Sequence, residues 1–103
     1  MKFTCNTSIL ADACNIVQRG VPQKSTIPAT EGIFIQAKNS SLTLTGYDLE
    51  VGITTIIDCT TEKEGSVVIN ARLLCDILRR LPSTSVTIDV DAHSLCKITS
   101  GEA

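Results

Sequence analysis

Thirty-two of the 103 residues are Thr, Ile or Val, and over most of the chain they fall in short runs that alternate apolar with polar. Side chains branched at Cβ fit a pleated, half-buried surface, and period-2 alternation marks a strand with one face in a core. Phe3 and Cys5 alternate with Lys2 and Thr4, Ile33, Ile35 and Ala37 with Phe34, Gln36 and Lys38, and Leu42 and Leu44 with Ser41, Thr43 and Thr45. Asn39-Ser40 makes the turn between the second and third of these strands. A fourth begins with Leu49, Val51 and Ile53 and runs to about Cys59, and Glu62-Lys63-Glu64-Gly65 turns the chain into a fifth over Ser66 to Asn70. Val86, Ile88 and Val90 form a sixth, and the turn Asp91-Ala92-His93-Ser94 leads to a last strand over Leu95 to Thr99.

Two segments keep a helical period instead. The first runs from Ser8 to Arg19 with Thr7 or Ser8 as N-cap, and stops at Gly20 with Pro22 just beyond. Ile9, Leu10, Ala13, Cys14, Ile16 and Val17 share one arc of it, and Ser8, Asp12, Asn15 and Arg19 the other. The second runs from Ala71 to Leu81 and ends before Pro82, because proline disfavours helical backbone in the residue before it. Leu73, Leu74, Ile77, Leu78 and Leu81 occupy one face and Arg72, Asp76, Arg79 and Arg80 the opposite one. Three Arg and one Asp give that face a charge of +2 in a chain of net −2. The element string is βαβββ followed by βαββ, which reads as two copies of one unit, the second lacking its final strand, with Gly101 at the turn toward it.

A hydrophobic content of 43% beside 19% charged residues excludes a disordered tail. The length suits one domain over residues 1–103. The net charge of −2 excludes a basic nucleic-acid arm in bulk, so any such binding requires a local patch. Met1 to Thr7 alternates rather than forming an apolar leader, and no run of about eighteen apolar residues occurs, so neither secretion nor membrane spanning is expected. Cys5, Cys14, Cys59, Cys75 and Cys96 show no CxxC, CxxH or HxxE spacing, which predicts reduced thiols in the cytoplasm and no metal cage.

Nothing in the chain assembles a catalytic centre. His93 is the only imidazole, and it stands in a polar turn far in sequence from any Cys, so no nucleophile and base can be paired. Asp48 and Glu50 are two apart at the start of a strand and could share a proton or cation, but a turn hydrogen bond for Asp48 and a solvated Glu50 explain them better. The six glycines form neither a GxGxxG nor a phosphate-loop pattern, so no nucleotide cofactor is expected. Cys14 and Cys75, toward the edges of the apolar arcs, are most simply small core residues. For Arg72, Arg79 and Arg80, composition leaves open both a solvated helix surface and a binding face.

Four motifs decide further. Met1-Lys2-Phe3-Thr4, Ser25-Thr26-Ile27-Pro28, Thr45-Gly46-Tyr47-Asp48-Leu49-Glu50, and Asn70-Ala71-Arg72-Leu73-Leu74 leading to Arg80-Leu81-Pro82 occur in this order along the whole chain. Together they resemble the first domain of the bacterial DNA polymerase III beta subunit family, the replicative sliding clamps. The resemblance implies an α+β clamp fold of two βαβββ-like units, with two helices packed on antiparallel sheet. It also implies a non-enzymatic part in DNA replication. In that family three such domains make a protomer, and two protomers close a ring that encircles double-stranded DNA and tethers the polymerase. By the same resemblance both helices line the channel, and Lys24, Arg72, Arg79 and Arg80 are DNA-binding residues. DNA polymerase and the clamp loader are the implied partners of the full-length homodimer, through a pocket in domains that these 103 residues do not contain. A reading from another class is a free-standing protein-interaction module that binds through an exposed strand edge and leaves the arginines solvated.

Overall fold

The computed structural model describes residues 1–19, 32–47, 52–93 and 95–101. The expected helix stop at Gly20 and Pro22, Lys24, the Ser25 to Pro28 motif, Asp48, Leu49, Glu50, Val51 and Ser94 lie outside them. The described residues form eight strands and two helices in the order β1 (Lys2–Asn6), α1 (Thr7–Gln18), β2 (Gly32–Lys38), β3 (Ser41–Tyr47), β4 (Gly52–Asp58), β5 (Thr60–Lys63), β6 (Gly65–Asn70), α2 (Ala71–Arg80), β7 (Ser85–Val90) and β8 (Cys96–Ser100).

Each helix starts directly from a strand, and one residue type makes both junctions. Asn6 Oδ1 accepts the Ile9 amide at 2.9 Å, and Asn70 Oδ1 accepts the Leu73 amide at 3.0 Å. The N-cap of α1 is therefore Asn6, not Thr7 or Ser8. The carboxamide satisfies an amide that the helix itself leaves unpaired, so no connecting loop is needed. The cap begins a short internal repeat, Asn6-x-x-Ile9-Leu10-x-Asp12 and Asn70-x-x-Leu73-Leu74-x-Asp76. At its other end α2 stops at Arg80, where Leu81 turns extended before Pro82 as the sequence requires.

The helices bury a narrower stripe than their apolar arcs suggest. In α1 the buried residues are Thr7, Leu10, Ala13, Cys14 and Val17, and in α2 they are Ala71, Leu74, Cys75 and Leu78. Ile9 is 52% exposed, Ile16 45% and Leu73 57%, contrary to the expectation that they lie on the core side. The reason is the small residues: Ala13, Cys14, Ala71 and Cys75 take the middle of the packed face and turn the larger flanking side chains outward.

All strand pairs are antiparallel, in two four-stranded sheets with orders β5-β1-β7-β8 and β4-β3-β2-β6. The halves are interleaved, since β1 lies between β5 and β7 while β6 lies beside β2. Strand β5 replaces part of the turn expected at Glu62 to Gly65. Its residues Thr-Thr-Glu-Lys carry no apolar alternation because it is an edge strand, and Lys2 Nζ reaches Glu62 Oε2 across it at 3.4 Å. Asn39 makes the β2–β3 turn with a φ of 56°, which Asn tolerates better than most residues, and its amide donates to Glu64 Oε2 at 2.9 Å. Phe3, Ile33, Ile35, Leu42, Leu44 and Ile88 point inward from the strands to meet Leu10 and Leu74 of the helices, all fully buried.

Candidate nucleic-acid interface

With the buried stripe of α2 fixed, its arginines are left on the solvent side. Arg72, Arg79 and Arg80 are all exposed. Arg72 and Arg79 lie seven residues, or two turns, apart on one side of the helix, which separates them by about 10 Å along its axis. Arg79 NH2 stands 3.3 Å from Asp76 Oδ1, one turn back, with both side chains about half exposed. Lys24 lies outside the described residues.

Helix electrostatics explain two of the three arginines. Arg79 and Arg80 sit in the last turn, where a cation complements the partial negative charge of unpaired carbonyls. Arg72 sits in the first turn, where the unpaired amides carry partial positive charge and a cation is disfavoured. The first turn of α2 contains no acidic residue, and among the described residues Arg72 makes no ion pair. The helix dipole thus gives folding no reason to favour a charge in that place.

On α1 and its C-cap the exposed polar residues are Ser8, Asp12, Asn15 and Arg19, which carry no net charge. The two helices pack together. Between them opens a groove of about 380 Å³ lined by Thr7, Ser8, Asp12 and Asn15 from α1, and by Arg79 with Ser83 and Thr84 after α2. Thr7 Oγ1 is buried there without a hydrogen-bond partner. Sequence reasoning did not join Arg79 to Asp12 and Asn15, because only the helix packing brings these distant segments together.

The other candidates for chemistry are placed where they do little. His93 is exposed, and its amide donates to Asp91 Oδ1 at 2.8 Å in a turn. Asp48 and Glu50 lie outside the described residues. Cys5, Cys14 and Cys75 are buried, and Cys59 and Cys96 are half-buried. Burial, reinforced by nearby Cys59, pushes the Cys5 thiol up to about 12. Burial and then Asp89 raise that of Cys96. Among the described residues no group of three or more His, Cys, Asp or Glu is placed to hold a metal ion, and no helix is long and apolar enough to cross a membrane.

The family model of the DNA polymerase III beta subunit, N-terminal domain, matches residues 1–103. The chain belongs to this family. A beta sliding clamp of Streptomyces coelicolor is 33% identical over 91 residues, covering 88% of this chain and 24% of the relative. The crystal structure of the DNA polymerase sliding clamp from Bacillus subtilis superposes with a TM-score of 0.94 at 33% identity, over 100% of this chain and 29% of that one. A sliding clamp from Bartonella birtlesii, the DNA polymerase III subunit beta, solved bound to griselimycin, gives a TM-score of 0.92 at 32% identity over 98% and 27%. The chain thus spans less than a third of each of these beta-subunit relatives. The two helices and two antiparallel sheets are those of the beta-subunit clamp fold.

Proposed function

We propose that this chain supplies the N-terminal domain of a replication processivity clamp, and that α2 lies along the inner wall of a ring through which double-stranded DNA passes. The observation that carries the reading is Arg72, a cation in the one turn of α2 where helix stability disfavours it, in line with Arg79 on the exposed side. Lys24 joins Arg72, Arg79 and Arg80 as a phosphate contact on the strength of the family resemblance. Contacts to phosphate carry no base information, so a few long cationic side chains hold a duplex equally at every register and the energy along the DNA stays nearly flat. Sliding follows from that flatness, and retention follows from ring closure rather than from affinity. In the full-length protein the reading entails a homodimeric ring, a DNA polymerase and a clamp loader as partners, no catalytic step, and a cytoplasmic location beside the chromosome.

Duplex binding by the purified chain, followed by fluorescence anisotropy across a salt series, tests this. Three to four phosphate contacts give a slope of log K against log salt of about −2.7 to −3.6, and Arg72→Ala flattens it by about 0.9, whatever the duplex sequence. A slope near zero, or one that Arg72→Ala leaves unchanged, overturns the assignment. Peptide binding that survives Arg72→Glu supports an interaction module instead.

A further inference from the structure

Asp76 stands in the middle of the arginine face. It lies four residues after Arg72 and three before Arg79, and its Oδ1 is 3.3 Å from Arg79 NH2. Its counterpart in the internal repeat, Asp12, lines the groove that Arg79 also lines. Arg79 therefore has a carboxylate beside it on its own helix and a second across the groove, whereas Arg72 and Arg80 make no ion pair among the described residues.

An ion pair this exposed adds little to helix stability. Its effect on a polyanion is different in kind. A phosphate approaching Arg79 also approaches Asp76, so the pair presents it with almost no net charge. The salt slope of DNA binding counts net phosphate charge neutralised, not the number of arginines in view.

We infer that Asp76 is a positioning residue that holds down the grip of α2 on DNA, offsetting Arg79 so that the helix acts through Arg72 and Arg80. The inference rests on the DNA-facing reading of α2. It adds a reason for an acidic side chain on that face, because a weaker hold lets the duplex move.

The test is the salt series applied to Asp76→Asn, Asp76→Glu, Asp76→Asn/Arg79→Ala and Arg72→Ala, with thermal melting as a check on folding. Asp76→Asn is expected to steepen the slope by about 0.9, an extra loss of about 3.5-fold in affinity between 50 and 200 mM salt. Asp76→Glu restores the parent slope, and so does the double variant, in which the pair is removed together. A merely structural Asp76 would shift the melting curve and leave the slope alone. If Arg72→Ala flattens the slope while Asp76→Asn leaves it unchanged, the brake is overturned and the DNA-facing reading stands. If neither variant moves the slope, the DNA-facing reading itself fails.

Discussion

The buried thiols of Cys14, on α1, and Cys75, on α2, are neighbours where the two helices meet. Their hydrogen bonding, with burial added, holds the Cys14 thiol well above the usual thiol range and lowers that of Cys75. Both sulfurs are sealed from solvent. The neighbouring strand thiol, Cys5, is buried as well and is pushed up to about 12.

Stability should therefore fall in alkali, in a window set by Cys5. Its folded value lies above the usual 9.0 of an unfolded thiol, so its contribution is complete below pH 9 and is lost as pH rises toward about 12. In that interval the unfolded chain releases a proton that the folded chain keeps, which costs up to about 1.4 kcal/mol for each pH unit. Urea titrations from pH 8 to 11 should show this decline, and Cys5→Ala should reduce its slope by about that amount whatever it does to stability at neutral pH. An unchanged slope would place the Cys5 thiol in contact with water.

The phase of the two helices can be measured by truncation. Leu10→Ala and Leu74→Ala remove fully buried side chains and are expected to cost about 2–5 kcal/mol each. Ile9→Ala and Leu73→Ala, one residue away and half exposed, should cost about 1 kcal/mol or less. Equal losses at all four positions in denaturant unfolding would restore the wider apolar arcs.

Hydrogen exchange should resolve the edge of β8 residue by residue. The Gly101 amide donates to the Ser85 carbonyl at 2.9 Å and the Asp91 amide to the Leu95 carbonyl at 3.1 Å. With the register Thr87 opposite Thr99 and Asp89 opposite Lys97, alternation then turns the Lys97 and Thr99 amides toward β7 and those of Cys96, Ile98 and Ser100 away from it. In this 103-residue chain Lys97 and Thr99 should be protected while Cys96, Ile98 and Ser100 exchange freely. Protection of Ile98 to the level of Thr99 would show a further strand, such as that of a second molecule, paired along the edge.

What could be read from sequence follows from where water is excluded. Ile33, Ile35 and Ala37, like Leu42 and Leu44, announce their strands because each alternates between core and solvent. Thr60 to Lys63 does not, since an edge strand of polar residues leaves no such trace. Alternation also tells which face is buried but not which strand lies alongside, so the interleaving of the halves was invisible. In the helices the width of the apolar arc was legible, but not its centre, which depends on how closely Cys14 and Cys75 let the helices approach. The charge of the α2 face was plain from residue spacing alone. The pairing of Asp76 with Arg79 was not, because Arg72, Arg79 and Arg80 all lie three or four residues from Asp76 and each was a geometrically acceptable partner.

The placement of β1 and β6 bears on how the chain can be divided. Met1 exchanges backbone hydrogen bonds with Val90, at 3.0 Å from its amino group to the Val90 carbonyl and 2.7 Å in return. Strand β1 thus waits for β7, far along these residues, before its sheet can close. A cut at Glu64, between β5 and β6, would leave one fragment without the middle partner β7 that β1 needs, and the other without β2 beside β6. Such fragments would be poor miniature domains, yet mixed together they would be matched halves for reconstitution.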